Sequence, residues 1–413
     1  MRILLVSAYF PPEIGAPANR AYEFALRWSR RGHAVQVLTG FPNHPTGEVP
    51  APYRGKLWRL FLRESLEGAE ILRCWLIPAP NRRAWQRLLN YGSFFVSSCL
   101  LGLGARRPQV VVATSPHLLT GLTGWWLSRA FRVPFVLEIR DLWPESLVAS
   151  GVGRDSSLLI RGVGRLAAFL YARADRIVAV TEKIAVKVRY SWHMPAAKVA
   201  VIEHSVDGAR FQPARPPGWS NGLADLNGHP VVSYIGTLGQ AHGLTQLLEA
   251  AGRVGAEDPQ VRFLLVGEGA EKDLLIEKAN KGRLQNVRFL PKQPWEEIPR
   301  LINRSSLCVA CLKPGETFKT VMPTKILEYL SCGKPVVLAG AGHAREILEA
   351  SHGGITVEPG DVPGLAAAIL KFTRDPALQQ RCGEAGRRYV LERFSPETRS
   401  DSYLQLLEGL IRP

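Results

Sequence analysis

Two charged residues, Lys325 and Glu328, stand one helical turn apart in an otherwise apolar run, Pro323-Thr324-Lys325-Ile326-Leu327-Glu328-Tyr329-Leu330. The pattern predicts a short helix with Pro323 at its first position. Gly333 would stop it in a left-handed conformation, and a buried strand would follow over 336–338. A carboxylate inside an apolar helix needs a partner, because an unpaired buried charge is costly. Either a protein cation or a ligand hydroxyl would serve Glu328. Lys325 poses the converse question, since the helix dipole disfavours a cation in the first turn. An anion bound at the helix start would offset the lysine and the open amides together.

A second chemical pair, Arg140-Asp141, closes the apolar run 135–139 and leads into Leu142-Trp143-Pro144-Glu145. It reads either as a strand-end ion pair or as a ligand-handling pair. Cys308-Val309-Ala310-Cys311 has CxxC spacing but no second Cys or His pair for zinc, and it lies in an apolar run, so it reads as core. The six cysteines are scattered at 74, 99, 308, 311, 332 and 382, which argues against a disulfide scaffold and for a reducing compartment.

With 52 basic against 36 acidic residues, the formal charge is +16, and a polyanionic neighbour is expected. A nucleic acid, an anionic membrane surface or phosphorylated substrates would each qualify. A basic recognition helix, a stacking motif and a zinc module are all missing from the sequence, which disfavours nucleic acid. Arg82-Arg83-Ala84-Trp85-Gln86-Arg87 precedes the apolar stretch 94–103. Cations and a tryptophan beside an apolar face are the mark of an interfacial helix, and an internal helix with a basic first turn is the other reading. The stretch 88–104 is too short and too polar to span a bilayer, and no secretory leader is apparent at the start.

The elements that must position these groups alternate strand and helix. Apolar strands are expected over 3–6, 35–38, 110–113, 135–139 and 176–180. A second series follows over 231–235, 263–266, 287–290, 307–312 and 336–338. This alternation predicts two parallel, doubly wound α/β halves. Polar residues collect after the strands, and that rim is where such sheets bind ligands. Gly15 falls between the first strand and first helix, without the GxGxxG of a dinucleotide site. The stretch 206–230, rich in Pro and Gly, is expected to be the linker. A closing helix is expected over 397–411.

Several motifs in this order are together specific: Tyr9-Phe10-Pro11-Pro12-Glu13 with Gly15 and Arg20; Gly32-His33-Ala34-Val35; Arg140 to Glu145; and 201–213. The second half adds 236–243, Leu265-Val266-Gly267-Glu268-Gly269 and 323–337. On these the chain resembles the family 4 glycosyltransferases over nearly its whole length, and within them a bacterial branch that includes fucosamine and colanic-acid transferases of surface polysaccharide. The resemblance implies the GT-B fold: two Rossmann-like doubly wound domains facing across a cleft, with a C-terminal helix packing back towards the N-terminal domain. Residues 1–207, joined by the 397–413 helix, would bind the acceptor, and 208–396 the nucleotide-sugar donor. Transfer would retain anomeric configuration without a metal. In accord with this, the sequence carries no DxD-type carboxylate pair able to hold a divalent ion. No cofactor is implied, because the nucleotide sugar, expected to be UDP-linked, is a substrate.

The resemblance assigns donor contacts to Gly15, Arg20, Gly236, Leu238, Gly239, His242, Gly267, Glu268, Pro323, Thr324, Lys325 and Glu328, with Glu328 on the ribose. It assigns the catalytic positions to Asp141, Arg140 and Lys325. The chain departs from the family in four places. Thr320 stands where a first Glu is usual, Thr237 and His242 stand where Arg and Lys are usual, and Arg140 stands where an active-site His is usual. Lys319, Lys325 and Arg20 are the candidate replacement cations. The implied partners are a polyprenyl-diphosphate-linked saccharide acceptor and an anionic membrane surface, with no nucleic acid. The implied place is the cytoplasm, peripheral on the inner face of the membrane. The alternatives are a non-hydrolysing nucleotide-sugar 2-epimerase of the same architecture and, on charge alone, a nucleic-acid-binding protein.

Overall fold

The computed structural model describes residues 1–13, 15–44, 46–80, 84–115, 117–149, 158–215, 218–219 and 222–411. The chain forms two compact units, Met1–His204 with Pro396–Pro413, and Ser205–Ser395. In the first unit the strands are β1 (Arg2–Ser7), β2 (Ala34–Gly40), β3 (Phe61–Leu66), β4 (Ala69–Cys74), β5 (Val110–Thr114), β6 (Phe135–Ile139), β7 (Arg176–Ala179) and β8 (Val199–Val201). They form one sheet in the order β3-β4-β2-β1-β5-β6-β7-β8. Every described pairing is parallel except β3 with β4. The central strands are buried on both faces and mostly apolar, as a sheet covered by helices on both sides requires.

The second unit carries β9 (Val231–Ile235), β10 (Arg262–Val266), β11 (Val287–Leu290), β12 (Leu307–Cys311), β13 (Val336–Ala339) and β14 (Gly354–Val357). Their order, β11-β10-β9-β12-β13-β14, is the doubly wound 3-2-1-4-5-6 arrangement. The winding direction reverses between β9 and β12 here, and between β1 and β5 in the first unit. At such a point the loops leaving the two central strands diverge and open a crevice beyond their carboxyl ends.

Three features differ from the sequence expectation. The β3–β4 hairpin was not foreseen; its two-residue turn, Glu67-Gly68, has positive φ at both positions, as a tight hairpin demands. The stretch 206–230 is not a free linker: Val206, Phe211, Trp219, Leu223 and Leu226 are buried in the core of the second unit. Asn227 exchanges two hydrogen bonds with the Trp219 backbone to hold the fold-back. Proline and glycine removed the periodicity there without removing the apolar anchors. The unit boundaries accordingly lie at 204/205 and 395/396 rather than at 207/208 and 396/397.

The closing helix, Pro396–Ile411, belongs to the first unit. Its Tyr403 meets Phe24 and Trp28 of the helix Ala16–Arg30 edge-on, at 5.0 and 5.2 Å between ring centroids. Such aromatic contacts add to the burial of large apolar surface. Ion pairs from Arg27 to Glu397 and Arg31 to Asp401 flank the contact. Cys308 and Cys311 are buried in β12, and burial pushes the Cys311 thiol up to about 12. Both are inert core residues, as the sequence suggested.

Candidate active site

In the second unit the crevice is built from glycines that let two loops touch. Gly236, after β9, and Gly267, after β10, have φ of +145° and +151°. A Cβ on Gly267 would come within 1.9 Å of the Gly236 carbonyl oxygen. The loops are stitched by Gly236 N–H to Val266 O, Leu238 N–H to Glu268 O and Glu271 N–H to Leu238 O. Leu238 therefore positions the site through its backbone, while its side chain is core. Gly239 opens the short turn Gln240–His242, and Glu268 is paired with Lys272 at 2.6 Å.

Above this loop lies the helix Thr324–Ser331. Pro323 is its N-cap rather than its first helical residue, and no side chain caps the helix start. The helix ends as expected: Gly333 has φ +69°, Gly333 N–H donates to Leu330 O, and Lys334 N–H donates to Tyr329 O. Tyr329 fixes the helix to β9, since its hydroxyl both accepts from Ile235 N–H and donates to Ile235 O.

Lys325 points into the crevice. Its Nζ is buried, lies 3.8 Å above the Tyr234 ring and has no hydrogen-bond partner among the described residues. A Cβ on Gly236 would sit 2.6 Å from that nitrogen, so the ammonium rests against the glycine backbone. Burial pushes its pKa down to about 7, against weaker support from Cys311 and Glu328. The amine thus lies desolvated beside a helix start that no side chain caps. Tyr234 was read only as a strand residue; its ring is the platform that holds the ammonium. Glu328 lies one turn along, partly buried, on the same side of the helix as Lys325.

His242 does not play the part expected of it. Burial, together with Lys325, pushes its pKa down to about 3, so it is neutral. Its Nδ1 faces the Cys311 carbonyl oxygen at 3.4 Å and must carry the hydrogen, which leaves Nε2 as an acceptor rather than an oxyanion donor. Two candidate replacement cations are also committed elsewhere. Lys319 pairs with Glu316. Arg20 is buried at 4% exposure and donates to Glu138 twice, to Glu203 O and to Ile202 O, using four of its five N–H groups. Arg20 is thus a structural tie of the first sheet and not a donor contact. Thr320 donates to Thr317 O within its own turn.

In the first unit the loops leaving β1, β2, β5 and β6 carry the polar groups. Gly15 is the N-cap of the helix Ala16–Arg30, again without a side-chain cap. Arg140 N–H donates to Ser115 Oγ, and its Nη1 is buried without a partner among the described residues. Burial pushes Arg140 down to about 10 and raises Asp141, with Arg140 opposing the second shift. Tyr9, His44, Tyr91 and His117 form an aromatic cluster on the same edge. Sequence reasoning missed Tyr91, although it lies four residues after Arg87 on one helical face.

Glu13 ties two of these loops. It accepts from Asn43 N–H, His44 N–H and Phe10 N–H, and burial lifts its pKa to about 7. The folded value exceeds the ordinary 4.5, so the folded state binds more protons between those limits and stability falls as pH rises from about 4.5 to about 7. Glu13→Gln keeps the oxygen that accepts from Asn43 and His44, gives up the longer bond from Phe10 N–H, and removes the titration. The variant should gain up to about 3 kcal/mol on the wild type across that window. Chemical denaturation at pH 4.5, 6 and 8 checks this; a constant difference between the two proteins would contradict it.

Residues 15–204 match the family model described as "Glycosyl transferase 4-like domain", and residues 220–389 match "Glycosyl transferases group 1". The chain is 24% identical to a protein of Escherichia coli K12 named as a colanic acid biosynthesis glycosyl transferase, WcaI, over 99% of this chain and 100% of that one. It is 27% identical to a glycogen synthase of Mycobacterium tuberculosis, over 96% and 92%. Among solved structures, the sucrose-phosphate synthase of Thermosynechococcus elongatus superposes with a TM-score of 0.73 at 18% identity, covering 99% and 98%. Anabaena HepE in complex with UDP-glucose superposes with a TM-score of 0.71 at 17% identity, covering 99% and 100%.

Proposed function

The chain belongs to the glycosyltransferases, with a 4-like first half and a group 1 second half, and from this premise we propose that it moves a sugar from a nucleoside-diphosphate donor to a lipid-linked saccharide in bacterial surface-polysaccharide synthesis. The observation that carries the donor half of this reading is the buried, unpartnered Lys325 ammonium beside the Gly236 loop and an uncapped helix start. A diphosphate placed there meets a desolvated cation and several amides, which stabilise the charge that develops on the leaving group. Glu328 takes the ribose hydroxyls. The donor's bond from the anomeric carbon to the diphosphate breaks as the acceptor oxygen attacks from the same side, and the acceptor proton passes to a phosphate oxygen. Anomeric configuration is retained, and the charge on the diphosphate is met by Lys325 and the amides rather than by a divalent ion. Similarity to the structure with UDP-glucose supports a UDP-linked donor. Asp141 and Arg140 in the first unit handle the acceptor.

The surface of the first unit supports docking on an anionic membrane. Trp85, Leu88, Leu89, Val96 and Leu100 are exposed along one face of the helix Ala84–Leu101, and Leu103 follows. Leu60, also exposed, is tied towards this helix, because Trp75 N–H donates to Leu60 O and Ser97 Oγ to Trp75 O, and exposed Trp58 lies two residues before it. Arg59 and Arg63 flank them, the latter donating to Gly104 O. Apolar residues ringed by cations fit an anionic lipid surface. Arg82 and Arg83, expected to join this patch, lie outside the described residues. No helix among the described residues is long and apolar enough to cross a membrane.

The test is a panel of nucleotide sugars scored by thermal stabilisation, because a ligand bound by the native state alone raises stability. One nucleotide class should stabilise the wild type. Glu328→Ala should reduce that stabilisation at least tenfold in apparent affinity while unfolding alone at a similar temperature. Undiminished donor affinity in the variant would refute the ribose role.

A further inference from the structure

Arg87 was expected to face lipid with its neighbours, but the structure turns it the other way. In the helix Ala84–Leu101, Asn90, Phe94 and Ser98 are buried while Trp85, Leu88, Leu89, Val96 and Leu100 are exposed. Arg87 shares a face with Tyr91, four residues on. Its Nε is buried and has no hydrogen-bond partner among the described residues. A buried donor without an acceptor is costly, and a charged one more so.

What surrounds Arg87 indicates the kind of acceptor it lacks. Its charge acts on the Tyr9 and Tyr91 phenols. Tyr9 donates to the Tyr91 hydroxyl at 3.1 Å, so the Tyr91 proton is free to be given to a third group. Tyr91 stacks on His117 at 4.1 Å, and burial keeps that imidazole neutral. His44 packs against Tyr9 at 4.6 Å. The acid whose charge reaches Tyr9, Glu13, has its oxygens taken by three backbone amides. Beside that engaged carboxyl, the cluster offers hydrogen-bond donors and the positive charge of Arg87. It stands beyond the carboxyl ends of β1, β2 and β5, at the winding reversal of the first sheet. Arg140, with its own unpartnered Nη1, follows the next strand, β6.

We infer that Arg87 and the Tyr91 hydroxyl form a subsite for a phosphate group carried by the acceptor, distinct from the diphosphate of the donor. This rests on the transferase reading of the preceding section. A planar guanidinium gives a phosphate two parallel hydrogen bonds, and the phenol adds a third. The Tyr91–His117 stack holds the phenol in place, and the hydrogen bond from Tyr9 sets its direction.

The test uses the full chain saturated with UDP, so that the donor site is filled. Octyl diphosphate, octyl phosphate and octyl glucoside are titrated by calorimetry into wild type, Arg87→Ala, Arg87→Lys and Tyr91→Phe. Octyl diphosphate should bind the wild type, lose at least tenfold in Kd with Arg87→Ala, recover part of that with Arg87→Lys, and lose about threefold with Tyr91→Phe. Octyl glucoside should bind weakly and equally to all four. Equal octyl diphosphate affinity in wild type and Arg87→Ala, or octyl glucoside binding as tightly as the phosphates, would overturn the inference. If Arg87→Ala unfolds, the Arg87→Lys and Tyr91→Phe titrations decide, and unchanged affinity in both overturns it. UDP binding is read first in the same cell. GDP and ADP replace UDP if UDP does not bind; if none of the three binds, the transferase reading falls and the subsite with it, and if one binds and the phosphates ignore Arg87, only the subsite falls.

Discussion

Lys325→Ala should weaken binding of the nucleoside diphosphate by about 30-fold or more and leave the protein at least as stable as the wild type. The affinity loss follows from removing one member of a desolvated charge pair, which costs about 2–5 kcal/mol. The stability half follows because the unliganded ammonium is a liability: burial has pushed it down to about 7 from an ordinary 10.5. The unfolded chain binds more protons between those values, so wild-type stability rises with pH from about 7 to about 10.5, and the variant should lose that slope. A bound diphosphate favours the charged lysine. Binding above pH 7 should therefore take up a proton, and affinity should fall as pH rises. Calorimetry at pH 8 in two buffers of different ionisation enthalpy measures the uptake. Equal heats in both buffers, with affinity unchanged from pH 6.5 to 8.5, would remove Lys325 from the diphosphate.

Arg20→Ala should destabilise the first unit by about 3–5 kcal/mol, the range for breaking a buried ion pair from one side. Arg20 and Glu138 are 4% and 3% exposed at 3.0 Å. Burial pushes the Glu138 carboxyl up, but the Arg20 charge and hydrogen bond, with Arg140 and Thr114, outweigh it and hold the pKa below its ordinary value. A lowered carboxyl pKa gives stability that is present above the unfolded value and lost as pH falls through the folded one. Arg20→Ala should abolish that acid dependence. The double change Arg20→Met with Glu138→Leu should recover part of the loss, since it removes the ion pair whole but deprives Arg140 of the Glu138 charge and Thr114 of its acceptor. Urea unfolding of the three proteins forms the test. Donor affinity of Arg20→Ala, measured where it is still folded, should match the wild type; a large loss there would restore Arg20 to the donor site.

These two residues show how far the sequence could be read. Lys325 was legible because its type conflicts with its place: a cation in a first helical turn implies something to bind. Arg20 sits in an equally suggestive motif, yet its role depends on Glu138 and on carbonyls 118 to 183 residues away, which no local pattern reveals. His242 failed for the same reason, because its protonation is set by burial and by a lysine 83 positions on. The strands were plain wherever both faces are apolar. The amphipathic hairpin of β3 and β4 was not, although Glu67-Gly68 between alternating residues was a usable signal. Arg87 illustrates the remaining gap. Composition placed it in a basic cluster, and only the helical phase against the core separates it from neighbours that face outward.

The central claim is that the second unit is a nucleotide-sugar site. The most direct measurement is equilibrium titration of the full chain with UDP, GDP, ADP and their sugar conjugates, with Lys325→Ala and Glu328→Ala beside it. One nucleotide class should bind saturably, and both variants should bind it at least tenfold more weakly while remaining folded. Absence of binding to every nucleotide, or binding that neither substitution weakens, would contradict it.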